Sequence, residues 1–100
     1  MRKIEQEMMD AIAWHKDWAS GNTAVWYISA NESGNPHGAR SSIYLHNNHI
    51  ADYWHNTQEI EVNTRTLRDW PTSTTKSRLR ALGADIKTKN GKVYWNGMEV

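Results

Sequence analysis

The pattern of apolar and polar positions divides the chain into a helix, a run of short strands, a second helix and a terminal hairpin. Over residues 2–19, Ile4, Met8, Ala11, Ile12, His15, Trp18 and Ala19 fall on one face at helical spacing, with Lys3, Glu7, Asp10 and Asp17 off that stripe. The spacing predicts an amphipathic helix, which Ser20-Gly21-Asn22 stops. Thr23 to Ala30 is rich in β-branched and aromatic residues and predicts a strand. Asn31 to Gly38 reads as a loop punctuated by Gly34, Pro36 and Gly38. Ser41 to His46 and His49 to Trp54 predict two strands joined at Asn47-Asn48, with Ile43 and Leu45 on one face and Tyr44 and His46 on the other. Glu59 to Asn63 alternates and predicts another strand with one wet face.

After an irregular stretch from Arg65 to Pro71, Thr72-Ser73 supplies a hydroxyl cap. The second helix runs from about Ser73 or Thr74 to Leu82, with Gly83 ending it and Thr75, Leu79 and Leu82 turned inward. The most specific local signal follows. Asn90-Gly91 between alternating residues predicts a two-residue hairpin turn over Asp85 to Trp95. It places Ile86, Thr88, Val93 and Trp95 on a core face and Lys87, Lys89, Lys92 and Tyr94 on the other. The fold class is α+β: an N-terminal amphipathic helix on a small antiparallel sheet, then a short helix and a C-terminal β-hairpin. Residues 1–100 form a single domain, without internal repeats.

Composition narrows the chemistry. There is no cysteine, so disulfides, thiolate metal sites and cysteine nucleophiles are excluded, and a reducing compartment is expected. No apolar run reaches the roughly 20 residues of a membrane helix. Met1-Arg2-Lys3 leads into Glu5-Gln6-Glu7 instead of an apolar core, which argues against a signal peptide and for a protein that stays in the cell that makes it. Six tryptophans and no phenylalanine predict a core filled mainly by Trp, with some indoles at a rim.

Charge is unevenly placed. Residues 1–64 hold four basic side chains (Arg2, Lys3, Lys16, Arg40) against eight acidic ones. Residues 65–92 hold eight (Arg65, Arg68, Lys76, Arg78, Arg80, Lys87, Lys89, Lys92) against Asp69 and Asp85. The second helix and the hairpin thus predict a positive field that attracts phosphate. The expected contacts are Thr75, Lys76, Arg78 and Arg80 from the helix and Lys87, Lys89, Lys92 and Tyr94 from the ribbon. They would touch mostly phosphate, with little reading of bases. A solubilising charged face, with lysines guarding a hairpin edge, accounts for the same pattern.

Other chemistry is sparser. His46, His49 and His55, with Asp52 between, have ligand types for zinc but match no strong spacing template, so no metal or other cofactor is expected. His15 reads as a hydrogen-bonded buried histidine. Catalytic motifs are absent: there is no nucleophile elbow, no phosphate-cradling glycine loop and no His-Glu-x-x-His. Glu59 and Glu61 form a carboxylate pair on one strand face, which ordinary wet-face alternation also explains. The other class of partner is a protein, bound through a surface containing Trp14, Trp26, Trp54 and Trp70. Homodimerisation through the first helix or an unpaired sheet edge stays open.

From residue 43 onward the chain resembles a group of small tailed-bacteriophage proteins. The resemblance rests on Ile43-Tyr44-Leu45-His46-Asn47-Asn48-His49-Ile50-Ala51, against a Leu-His-Gly-Asn-x-Ile-Ala segment. It rests also on Trp70-Pro71-Thr72-Ser73-Thr74-Thr75-Lys76-Ser77-Arg78-Leu79-Arg80-Ala81-Leu82, against Gly-Trp-x-Thr-x-Thr-Thr-Lys-Ser-Arg-Leu-Asn-Ala-Leu. Asn22-Thr23 also fits the group's pattern, and about half the chain is covered. Asn47 stands for the hairpin glycine, a substitution Asn tolerates at positive φ. Asp69 stands for the glycine before Trp, and Arg80 for Asn. The resemblance implies a phage accessory protein of host-takeover type, acting in the bacterial cytoplasm on nucleic acid or on a bacterial host protein or defence factor, more than it implies a mechanism.

Overall fold

The computed structural model describes residues 2–33 and 38–100. Gly34 and Pro36, expected in a loop, and Met1 lie outside the described residues. The elements are α1 (Lys3–Ala13), β1 (Trp18–Ser20), β2 (Thr23–Ile28), α2 (Ala30–Ser33), β3 (Arg40–Leu45), β4 (Asn48–Trp54), β5 (Glu59–Val62), α3 (Thr64–Asp69), α4 (Ser73–Ala81), β6 (Ile86–Lys89), β7 (Lys92–Trp95) and β8 (Met98–Glu99). The α+β class is as the sequence predicts. Strands β1 to β5 form an antiparallel meander in chain order, and β6 to β8 a separate three-stranded sheet.

The first helix is shorter than its apolar stripe. It ends at Ala13 because His15 takes a left-handed conformation (φ 55°). The Lys16 amide then reaches Ala11 O at 3.0 Å and the His15 amide reaches Ile12 O at 3.2 Å, the paired closing bonds of a Schellman end. Histidine here does what glycine usually does. The freed Trp18–Ser20 becomes a strand, with Trp18 opposite Val25. Gly21, expected to stop a helix, instead opens the β1–β2 turn at φ 57°. At the far end of α4 the same motif is built on Gly83 (φ 100°), with Ala84 N to Leu79 O at 3.0 Å.

Two further differences have local causes. The β3–β4 turn residues are His46 and Asn47, at φ 50° and 64°, and not Asn47-Asn48. Leu45 therefore faces Asn48 and Tyr44 faces His49, so His46 and His49 are not a cross-strand pair. The irregular stretch is largely helix α3, because the Asn63 side chain caps it by accepting from the Thr66 amide at 3.2 Å. Thr72 caps α4 in the same way, accepting from the Thr75 amide at 3.1 Å. The C-terminal hairpin has the predicted register, from Ile86 opposite Trp95 to Lys89 opposite Lys92. A second Asn-Gly turn, Asn96-Gly97 with both φ positive, adds β8.

The core lies between the inner face of the large sheet and the helices. Val25, Ile43 and Ala51 meet Met8 and Ile12 of α1, Leu67 of α3, Leu79 and Leu82 of α4, and Ile86. A register shift between Ile43 and Tyr44 sets Ile50 and Ala51 both inward, as a bulge does. Tryptophan does not fill this core. No indole is among its fully buried members, Trp18 and Trp95 pack at its margin, and Trp14, Trp26 and Trp70 are exposed. Aliphatic side chains close the interior, and the indole N–H groups stay at the rim where water or a partner can reach them.

The helices are tied to the sheet by a buried ion pair. Arg78 Nη1 donates to Glu5 Oε2 at 2.8 Å and its Nε to Thr23 Oγ1 at 3.0 Å, while Ser77 Oγ donates to the same carboxylate at 2.6 Å. Burial pushes the Glu5 carboxyl up, but the bonds from Ser77 and Arg78 outweigh it, and its pKa lies below the usual value.

Candidate nucleic-acid interface

The register of the hairpin sets its basic face. Lys87 lies opposite Tyr94 and Lys89 opposite Lys92, and all four project from the side away from Thr88 and Val93. Lys87, Lys89 and Lys92 are exposed and Tyr94 is half-buried. Arg80, in the last turn of α4, joins them from the helix. Its Nε donates to the Ile86 carbonyl at 2.9 Å, which ties the helix to β6 and sets the direction of the guanidinium. Arg80, Lys87, Thr88, Lys89, Tyr94 and Gly97 line one open groove of about 640 Å³. Three cations from two elements thus converge around a tyrosine. A concave surface of one sign concentrates potential and draws polyanions.

Four other predicted contacts are not among the residues lining this groove. Thr75 is buried and hydrogen-bonded to Thr72 (Oγ1 to Oγ1 2.9 Å), and Arg78 is consumed by Glu5 and Thr23. Burial turns Arg78 onto α1 and β2, away from the groove, and Thr75 lines only the small groove beside Trp70. Lys76 is half-buried on α4 and does not line the groove. Lys92 lies on the same ribbon face but is shared with Glu99, 3.6 Å away, in an exposed ion pair that contributes little to stability. Thr88, assigned by sequence to the core face, is exposed and lines the groove, and Gly97 was missed, the Asn96-Gly97 pair being the available signal for its turn.

The tryptophans do not form one patch. Trp14 follows α1 beside Asp10 and Trp18. Trp70 closes a small groove with His46, Ile50 and Thr75. Trp26 and Trp54 share the outer face of the large sheet, where Arg40 lies 5.4 Å from the Trp54 ring centroid.

That outer face also carries a polar network. Asp52 Oδ1 accepts from Ser42 Oγ at 2.6 Å and from His49 Nε2 at 2.8 Å, with Arg40 Nε 3.9 Å away. The Asn63 amide nitrogen donates to His49 Nδ1 at 3.2 Å, and the bond from His49 to Asp52 outweighs burial, so the His49 pKa is raised. Burial pushes Asp52 up and is outweighed by the bonds from His49 and Ser42, so its pKa is lowered. At the other end of the inner face, His55 Nε2 and Ser41 Oγ are 2.8 Å apart, and the His55 ring is 4.1 Å from that of His15. Burial and the nearby His15 lower the His55 pKa. This leaves a neutral base beside a hydroxyl, yet Ser41 is wholly buried and offers no nucleophile to a substrate from solution. His46, His49 and His55 belong to three different settings. Among the described residues no group of three or more His, Cys, Asp or Glu side chains has the arrangement of a metal site.

The chain matches the family description Kyanoviridae Gp96 protein over residues 1–100. It belongs to that family. The family makes it a small tailed-phage protein, in agreement with the resemblance read from its second half. No curated protein and no solved structure matches it. Among the described residues no helix of this Kyanoviridae protein is long and apolar enough to cross a membrane.

Proposed function

We propose that this phage protein binds nucleic acid through the groove of Arg80, Lys87, Lys89 and Tyr94, in the cytoplasm of the bacterial host. The observation that carries the reading is the convergence of three cations from α4 and β6 around one half-buried tyrosine. The cations take phosphates, and the Tyr94 ring offers a stacking surface to a sugar or an unpaired base. The two lysines are point charges and the Arg80 Nε is tied to the Ile86 carbonyl, so most contacts fall on phosphate and binding is largely tolerant of sequence.

Titration of short duplex and single-stranded oligonucleotides at two salt concentrations tests the reading. With three phosphates neutralised, affinity for duplex is expected to fall about 40-fold between about 50 and 200 mM salt, and roughly 20-fold for single strands. The double variant K87E/K89E, altered only at exposed positions, should retain its fold and abolish binding. Binding that survives this variant would place the contact elsewhere, and no binding at low salt would sink the proposal.

A second reading, an adaptor or inhibitor that binds a host protein or defence factor, draws on Trp14 and Trp70, which are 71% and 60% exposed. Tryptophan is enriched at the hot spots of protein interfaces. Such binding would be largely salt-tolerant.

A further inference from the structure

β5 is an edge of the five-stranded sheet. Its backbone bonds to β4 on one side, and among the described residues no strand pairs with the other. Beside that open edge runs a groove of about 580 Å³, lined by Trp54, Glu59, Ile60 and Glu61 and, from the second sheet, Trp95 and Asn96. The two faces of β5 give the groove two chemistries. On the outer face stand Glu59 and Glu61, both exposed, with Trp54 directly opposite Glu59. Among the described residues neither carboxylate has a hydrogen-bond or ion-pair partner. On the inner face, half-buried Ile60 and Trp95 both pack against the core.

We infer that this edge accepts an extended segment of a partner protein in which cationic side chains alternate with apolar ones. A strand added to β5 would satisfy the outward backbone groups through main-chain bonds, which supply affinity. Its alternate side chains must then project to opposite faces. Those on the outer face meet Glu59 and Glu61, whose negative field selects lysine or arginine, beside the Trp54 indole, which already has Arg40 5.4 Å from its centroid. The side chain between them turns to Ile60 and Trp95, which select an apolar group. Charged residues on an edge strand ordinarily only keep like edges apart. Here the carboxylates flank two indoles and a cavity, a combination that selects a cationic partner as well as repelling an acidic one. The other edge with an acidic groove is different, since Asp17 accepts the Tyr27 amide at 2.7 Å, Asp10 is bonded to Gln6, and Lys16 lies over Trp14. The inference is independent of the nucleic-acid reading, because it uses none of Arg80, Lys87, Lys89 or Tyr94.

The test uses the full chain and a labelled peptide, Arg-Val-Arg-Val-Arg, with Arg-Arg-Arg-Val-Val as a control of equal composition and charge. Fluorescence anisotropy gives affinity, and amide hydrogen exchange reports on β5. The alternating peptide should bind at least about fivefold more tightly than the block peptide and slow exchange at β5 amides. E59Q/E61Q should weaken it about fivefold, the loss of two exposed ion pairs. K87E/K89E should bind it no less tightly, whether or not that variant has lost nucleic acid. Equal binding of the two peptides, an E59Q/E61Q affinity within about twofold of the parent, or no binding at all would overturn the proposal. So would sedimentation showing a dimer that E59Q/E61Q dissociates while the peptide fails to bind, which would make a second copy the occupant.

Discussion

Replacing Arg78 by methionine separates a structural arginine from a nucleic-acid contact. In the folded chain its side chain is 4% exposed and that of Glu5 5%. R78M removes the guanidinium and leaves the Glu5 carboxylate buried with the Ser77 hydroxyl as its remaining side-chain partner. Breaking a buried pair on one side costs about 3–5 kcal/mol, since the surviving charge keeps its desolvation penalty. A domain of this size is stable by about 5–15 kcal/mol in total. At about 4–8 °C per kcal/mol, the melting temperature should fall by roughly 12–40 °C. Thermal and urea unfolding, followed by circular dichroism and tryptophan emission, measure the loss.

The pH dependence gives an internal check. In the parent chain the Glu5 pKa is depressed, so its contribution is present above the unfolded carboxylate value and lost as pH falls through the folded one. In R78M burial dominates and the pKa rises, so the deficit is largest near neutrality and shrinks on acidification. The double variant E5M/R78M should recover most of the loss, because two apolar side chains of similar volume replace the pair. A stability change below about 1 kcal/mol together with lost oligonucleotide affinity would refute the argument and return Arg78 to the binding surface.

Other expectations follow from the same structure. The raised His49 pKa stabilises the fold below about pH 6.5 and that contribution is lost as pH rises through the folded value. The depressed Asp52 pKa acts in the opposite direction, its contribution being lost on acidification. Urea midpoints compared across pH should show a step on the alkaline side of the histidine range, and D52N should remove it. Asn47→Gly should raise stability by about 0.5 kcal/mol, since both turn residues hold positive φ, the conformation glycine adopts at least steric cost; a lowered urea midpoint would contradict this. Gly38→Ala should cost about 1–3 kcal/mol, because φ is 88° and a Cβ would collide with the Asn56 side-chain amide; unchanged melting would contradict it.

What could be read along the chain was whatever is set by neighbours in sequence. The Asn90-Gly91 turn fixed the hairpin register, and hence the shared face of Lys87, Lys89 and Tyr94, because two residues at positive φ admit few other chain reversals. The Thr72 cap and the Gly83 stop bounded α4 for the same reason. The first helix was overdrawn because its stripe continues through Trp18, and only pairing with Val25 decides that Trp18 belongs to a strand. The binding surface divides on the same line. A basic helix shows its cations but not its rotation, so Arg78 and Arg80 look alike in sequence. Packing of α4 on α1 and β2 turned Arg78 onto Glu5 and Thr23, and left Arg80 to close a groove against β6. The β5 groove depended wholly on tertiary structure. Glu59 and Glu61 are local to one strand, but Trp95 reaches them from 34 positions beyond Glu61 in sequence, and no short-range rule brings it there. Turns and caps answer to steric limits within a few residues. Which face is buried, and which surfaces meet, answers to the whole fold.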